Sequence, residues 1–221
     1  MIEFLSDSLC VKVYETRREM GDAAGADCAA MLRKLLSEKE TVNMIFAAAP
    51  SQNETLAALC AAEGIDWSRV NAFHMDEYIG LDAAAPQGFG NFLRRGIFEA
   101  VPFKELHYLL CKPEEAEAKG EEYTNLLKKY PADLIFLGFG ENGHMAFNDP
   151  DVADFNDPKT VKVVDLDDIC RQQQVNDGCF ATLNDVPKQA MSLTMSFIMS
   201  VPHAICVVPT IRKANAVYNA L

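Results

Sequence analysis

The sequence predicts an α/β fold: a Rossmann-like, doubly wound, mainly parallel sheet flanked by helices, with residues 1–221 forming a single domain. Short apolar runs alternate with stretches of helical periodicity from end to end, the pattern of strands joined by crossover helices. No internal repeat or low-complexity linker interrupts the alternation. The run Asp133–Leu137 is almost unbroken in apolar character and ends in glycine, as expected of a strand buried on both faces at the centre of a parallel sheet.

In chain order, Val11–Tyr14 reads as the first strand. Arg17–Leu36 follows as a helix with Met20, Ala24, Cys28, Met31 and Leu35 on one core-facing stripe. Val42–Ala49 is a second apolar strand, running into Pro50-Ser51-Gln52-Asn53-Glu54, where Ser51 and Glu54 have the spacing of a capping box. A strand feeding straight into a helix N-terminus presents free N–H groups to an anion, although a well-capped helix explains the same residues without a ligand. Val70–Tyr78 is the third strand, with His74, Asp76 and Tyr78 on one face by the period-two rule. Gly88–Glu99 is a helix and Leu106–Leu110 a strand. Glu114–Lys129 is a longer helix, opened by Pro113 and two glutamates and closed by Lys128 and Lys129, which suits the helix dipole.

Thr160–Asp165 reads as a strand, Cys170–Val175 as a polar turn or helix, Val186–Met195 as a segment running into a helix with Phe197 and Ile198, and Ala204–Val208 as the last strand. Thr210 then caps a helix whose first turn holds Arg212 and Lys213, two cations where the dipole prefers negative charge. Local conflicts of this kind are expected at functional sites. The chain ends inside this apparent helix, which points to a form shortened at the C-terminus.

Chemistry concentrates just past Leu137. Gly138, Gly140 and Gly143 let the backbone approach a ligand, and Glu141, Asn142, His144, Asn148 and Asp149 follow within a few residues. A histidine among acids and amides at the carboxyl end of a buried strand is a candidate general acid or base. A hydrogen-bonded structural histidine is the plainer alternative. Asp76, beside Glu77 near another strand end, is a second candidate, with a loop cap as its plainer explanation. Arg171 and Lys213 are candidate cations for an anionic ligand, and either could equally be a solvated charge.

The stretches Gly138-Phe-Gly-Glu-Asn-Gly-His-Met-Ala-Phe-Asn-Asp-Pro150 and Phe73-His-Met-Asp-Glu-Tyr-Ile-Gly-Leu81 resemble the glucosamine-6-phosphate deaminase/isomerase family and its 6-phosphogluconolactonase relatives, and the likeness extends over nearly the whole chain. The lactonase branch typically carries a Ser-bearing, Leu/Phe-rich sequence after Gly-His, whereas Ala-Phe-Asn-Asp-Pro follows the deaminase pattern. The resemblance implies that Asp76 shuttles a proton between C1 and C2 of an opened amino sugar and that His144 opens the ring. It also implies that Asp149, in place of the usual Glu, orients His144, and that Ser51, Lys213 and Arg171 hold the phosphate. Two departures stand out. The family's Gly-Gly-Thr-Pro phosphate loop is here Ala47-Ala48-Ala49-Pro50-Ser51. The aspartate common two residues before the histidine is Asn142, which can hold His144 or a sugar hydroxyl but cannot accept a proton.

The activity so implied converts a hexosamine 6-phosphate, glucosamine-6-phosphate or a close isomer, to a ketose 6-phosphate and ammonia without a cofactor. A lactonase-like hydrolase and a non-catalytic sugar-phosphate-binding protein are the alternatives. The net charge of −12 argues against nucleic acid and anionic membrane as partners, while local cations still admit a small anionic sugar phosphate. A homo-oligomer is left open. No apolar run approaches a membrane span and the N-terminus lacks a signal-peptide pattern, so a cytoplasmic location is expected. Seven cysteines without C-x-x-C pairing suit buried free thiols, and four dispersed histidines imply no metal.

Overall fold

The computed structural model describes residues 1–221. An antiparallel hairpin of β1 (Ile2–Ser6) and β2 (Leu9–Val13) opens the chain. There follow α1 (Arg17–Glu38), β3 (Val42–Phe46), α2 (Asn53–Cys60), β4 (Val70–His74), β5 (Asp76–Tyr78), α3 (Phe89–Leu93), β6 (Glu105–His107), α4 (Ala116–Lys129) and β7 (Leu134–Leu137). The remainder comprises β8 (Val161–Asp165), α5 (Asp168–Asn176), β9 (Gln189–Leu193), α6 (Met195–Ser200), β10 (His203–Cys206) and α7 (Ala214–Ala220).

Five strands form a parallel sheet in the order β10-β7-β3-β4-β6. Alternate side chains of its central strands serve two cores. Met44, Phe46, Ala72, Leu134 and Phe136 pack toward α1 and α2, while Ile45, Phe73 and Ile135 pack toward α4 and α6. This two-sided burial is why the strands read as continuous apolar runs, and it makes the sheet doubly wound as expected. From β3 the chain proceeds outward through β4 to β6, then returns to the other flank of β3 for β7 and β10. The order therefore reverses between β3 and β7, and such a switch point leaves a crevice at the strands' carboxyl ends.

Several expectations are corrected. Val11–Tyr14 does not begin the main sheet; its residues belong largely to β2 of the separate hairpin, which turns at Asp7 with φ 51°. Val70–Tyr78 is two strands. The chain leaves the parallel sheet at Met75, and Asp76–Tyr78 joins an antiparallel sheet in the order β5-β9-β8. Gln189–Leu193, expected to run into a helix, is the middle strand of that sheet. Pairing on both sides overrides the helix propensity of Ala190, Met191 and Leu193, and the helix starts only after Thr194, whose hydroxyl caps it.

The Ser51/Glu54 capping box is absent, because Glu54 pairs with Arg17 instead. Thr210 makes no side-chain cap and has φ 79°. The cysteines are all unpaired; Cys28, Cys111 and Cys170 are buried, but Cys10 and Cys206 are exposed.

Candidate active site

One cleft lies over the switch point. The segment Ala47–Gln52 beyond β3 and the segment Gly138–Gly140 beyond β7 form its floor, and Asp76, His144, Phe147 and Lys213 complete its walls. Ser51, Asp76, His144 and Lys213 thus converge from four strand ends, as sequence reasoning anticipated. Ser51 sits in the 3₁₀ turn Pro50–Gln52 that enters α2 and is buried.

His144 is fixed from one side. Its Nδ1 lies 2.7 Å from Asn142 Oδ1 and 3.0 Å from Asp149 Oδ1, and its backbone N–H also donates to Asn142 Oδ1 at 3.1 Å. Asn142 Nδ2 donates to the same Asp149 oxygen at 2.9 Å. Both partners of Nδ1 are acceptors, so Nδ1 carries the proton and Nε2 is the free basic nitrogen. Asn142 is therefore complementary to its setting. Its oxygen faces the imidazole and its nitrogen faces the carboxylate, whereas an aspartate there would set a second negative charge against Asp149. Burial opposes ionisation of Asp149, but the hydrogen bonds from His144 and Asn142 outweigh it and hold the carboxyl below its ordinary range.

Close backbone approach makes this geometry possible. A Cβ on Gly140 would lie 2.2–2.4 Å from the His144 ring atoms, so only glycine leaves room for the imidazole. Ala146, two residues on, holds φ 51° without being glycine. Backbone strain of this kind is typical of segments that the surrounding structure over-determines.

Asp76 opens onto the same cleft while remaining 6% exposed. Burial and then the neighbouring Glu77 push its carboxyl well above the ordinary carboxylate range. Glu77 itself is turned away from the cleft and accepts the backbone N–H groups of Tyr78, Phe89 and Gly90, tying α3 to β5. His74, on the preceding strand, is wholly buried, and burial lowers its pKa to about 3, so it is a neutral core residue.

Lys213 donates to Phe139 O at 2.6 Å from the far wall, and burial lowers its pKa below that of an ordinary lysine. Arg171 is not in the cleft. Its terminal guanidinium nitrogens donate to Asp168 Oδ1, Leu183 O and Val186 O, which holds the loop before β9, while its Nε is buried without a partner. The expected phosphate role for Arg171 is corrected accordingly.

The face that α5 does turn to the cleft carries Gln173, Gln174 and Asp177. Sequence reasoning missed these, together with Gln52 and Phe89. The i, i+1, i+4 spacing of the α5 trio was a readable signal, but charge drew attention to Arg171 instead. His144, Asp149 and Cys170 bring ligand-type atoms within 4.8 Å of one another. Burial, and then the neighbouring Asp149, push the Cys170 thiol up, so it stands beside His144 and Asp149 as a neutral thiol.

A parallel sheet with a histidine–carboxylate pair, a buried acid and a lysine around its switch-point crevice defines a class of α/β proteins that handle small anionic ligands at strand ends. The chain belongs to the glucosamine-6-phosphate isomerase/6-phosphogluconolactonase family, whose profile matches residues 15–221. It is 36% identical over 159 residues to a glucosamine-6-phosphate deaminase of an Exiguobacterium species, covering 72% of this chain and 61% of that protein. It is 33% identical over 153 residues to a glucosamine-6-phosphate deaminase of Streptococcus pneumoniae, covering 69% and 64%. The matched segment thus spans less than two thirds of either relative.

Among solved structures, a monomeric glucosamine-6-phosphate deaminase superposes with a TM-score of 0.82 at 22% identity, covering 93% of this chain and 84% of that one. A 6-phosphogluconolactonase from Plasmodium vivax gives 0.79 at 13% identity, covering 99% and 82%. At these identities the likeness is one of fold. No helix is long and apolar enough to cross a membrane.

Proposed function

We propose that residues 1–221 form a single-domain deaminase/isomerase that converts a hexosamine 6-phosphate to a ketose 6-phosphate and ammonia. The observation that carries this reading is that Asp76, an Asn142- and Asp149-oriented His144 and Lys213 line one cleft. The identity to curated deaminases supports the same choice over a lactonase.

In this reading the phosphate binds at Lys213 and Ser51. His144 Nε2 relays the proton that opens the sugar ring, while Asp149 and Asn142 hold the imidazole in place. Asp76 removes the C2 proton and returns it to C1, water adds to the C2 imine so formed, and ammonia leaves. Each positioned proton transfer contributes about 10² to 10⁴ in rate, enough for the chemistry to run without a cofactor.

Ammonia release measured across glucosamine-6-phosphate, galactosamine-6-phosphate and 6-phosphogluconolactone tests the proposal. Ammonia from a hexosamine phosphate, lost in Asp76→Asn and His144→Gln, is the expected result. Acid release from the lactone with no ammonia from any amino sugar overturns it in favour of a hydrolase. Thermal stabilisation by sugar phosphates with no turnover overturns it in favour of a binding protein. Lys213→Ala is expected to raise KM by roughly 10-fold or more and to leave kcat within a few-fold, because a phosphate remote from C1 and C2 is held about equally in ground and transition states.

A further inference from the structure

The two acid–base groups sit on segments far apart along the chain that are tied to different sheets. Asp76 rides on β5 of the antiparallel sheet, whereas His144 rides on the loop that leaves β7 of the parallel sheet. We propose that Ser192, with Asn148, is the positioning clamp that sets the spacing between Asp76 and the His144 loop. This rests on the deaminase/isomerase reading above.

Ser192 lies directly across from Asp76 in the antiparallel register of β9 and β5. Directly opposed residues of an antiparallel pair project to the same face, with Cβ atoms about 4.5–5.5 Å apart, so the Ser192 hydroxyl is tied to the position of Asp76 through the ladder. That hydroxyl is wholly buried and reaches the other segment. It accepts the Phe147 N–H at 3.1 Å and, at a longer 3.5 Å, Asn148 Nδ2, and it donates its own proton to Leu193 O at 3.0 Å.

Asn148 completes the tie. Its Nδ2 donates to Leu193 O at 2.8 Å on β9 and to Met145 O at 3.0 Å within the loop, and its backbone N–H donates to Met145 O. Residues 145–148 are thereby closed into a tight turn and fastened to the strand opposite Asp76. The strained Ala146 lies inside that turn, two residues after His144 and next to the fastened Phe147. A turn held in the left-handed region needs such fastening. Without the Ser192 oxygen no protein acceptor remains for the buried Phe147 N–H, and the loop's low-cost response is to shift. Reacting groups must be held to about 0.5 Å, and a misplacement of about 1 Å costs on the order of 10²-fold.

The clamp touches neither Lys213 nor Ser51. Its loss should therefore appear in kcat and spare KM. The test compares wild type with Ser192→Ala, Ser192→Thr and Asn148→Ala by steady-state ammonia release, thermal melting, and exchange of the Phe147 amide proton with solvent followed by NMR.

Ser192→Ala is expected to lower kcat by about 10- to 100-fold with KM changed less than about 3-fold, while a cooperative melt is retained. Ser192→Thr, which keeps the hydroxyl, should recover most of kcat. Phe147 amide exchange should accelerate in Ser192→Ala and stay slow in Ser192→Thr. An unchanged kcat in Ser192→Ala, or a loss that Thr fails to recover although that variant melts like wild type, overturns the clamp. Should the alanine variant fail to fold, Asn148→Ala carries the same kcat-selective expectation and the same refutation. If wild type releases no ammonia, the functional reading fails on its own, and slow Phe147 exchange in Ser192→Ala then refutes the clamp separately.

Discussion

Asp76 carries an electrostatic cost that the fold tolerates for the sake of the cleft. Its raised pKa means that between the unfolded value of about 3.9 and the higher folded value, the native protein binds more protons than the unfolded chain. Stability therefore falls as pH rises through that window, and the full penalty is present above it. Asp76→Asn should remove the penalty, abolishing turnover while stabilising the protein at neutral pH by about 0.5–2 kcal/mol. The gain should shrink toward zero as pH drops below the ordinary aspartate range. Melting curves of both proteins over a pH series check this, and an equal or lower melting temperature for Asp76→Asn at neutral pH would sink it. Residues of this kind were readable because the local sequence marks them: His144 follows three glycines and stands among acids and amides, and Asp76 stands with Glu77 near the end of a strand. Arg171 misled for the opposite reason. Sequence shows that a cation is near the site but not that Asp168 and two carbonyls already occupy it.

The approach of α1 to α2 decides where part of the cleft floor stands. Gly21 and Gly25 are four apart on α1, and a Cβ on them would fall 2.3 Å from Glu54 Cβ and 2.6 Å from Ala58 Cβ. The two helices thus meet backbone to backbone, and α2 carries Ser51 and Gln52 at its entrance. Gly25→Val is expected to force the helices apart, destabilise the fold by about 1–3 kcal/mol, and raise KM as Ser51 withdraws. Denaturation and steady-state kinetics together check it; full stability with an unchanged KM would show that α2 is free to move without consequence.

Elements whose apolar pattern matched their final burial were legible, as in β3, β4, β7 and α1, while α4 was legible from Pro113 and its terminal charges. The break at Met75 was not, because Val70–Tyr78 stays buried on both sides of it and no turn residue marks the change of partner. β9 was obscured by side chains that favour helix until β5 and β8 are known to flank it.

At the scale of the molecule, the reversal of strand order between β3 and β7 gathers groups distant in sequence and also couples their titrations to a single activity. Alternation of strands and helices announced the sheet, but strand order depends on which flank of β3 the returning chain takes, and nothing local records that choice.

The resulting cleft joins an acid whose pKa burial and Glu77 raise to a lysine whose pKa burial lowers. If Asp76 is the base proposed above, it takes up a proton only when ionised, so kcat/KM should fall on the acid side at a pH above the ordinary carboxylate range. If Lys213 holds the phosphate as proposed, it does so only when protonated, so KM should rise on the alkaline side at a pH below that of an ordinary lysine. The profile should accordingly be a bell narrower than two unperturbed groups would give, with its alkaline limb in KM rather than in kcat. Lys213→Arg, whose charge persists to high pH, should flatten the alkaline limb and leave the acid limb in place. Steady-state rates of wild type and Lys213→Arg, taken from acid to alkaline pH with a fixed concentration series of substrate, separate the two limbs. An alkaline limb that persists unaltered in the arginine variant would show that some group other than Lys213 titrates there, and the phosphate would have to be placed elsewhere in the cleft.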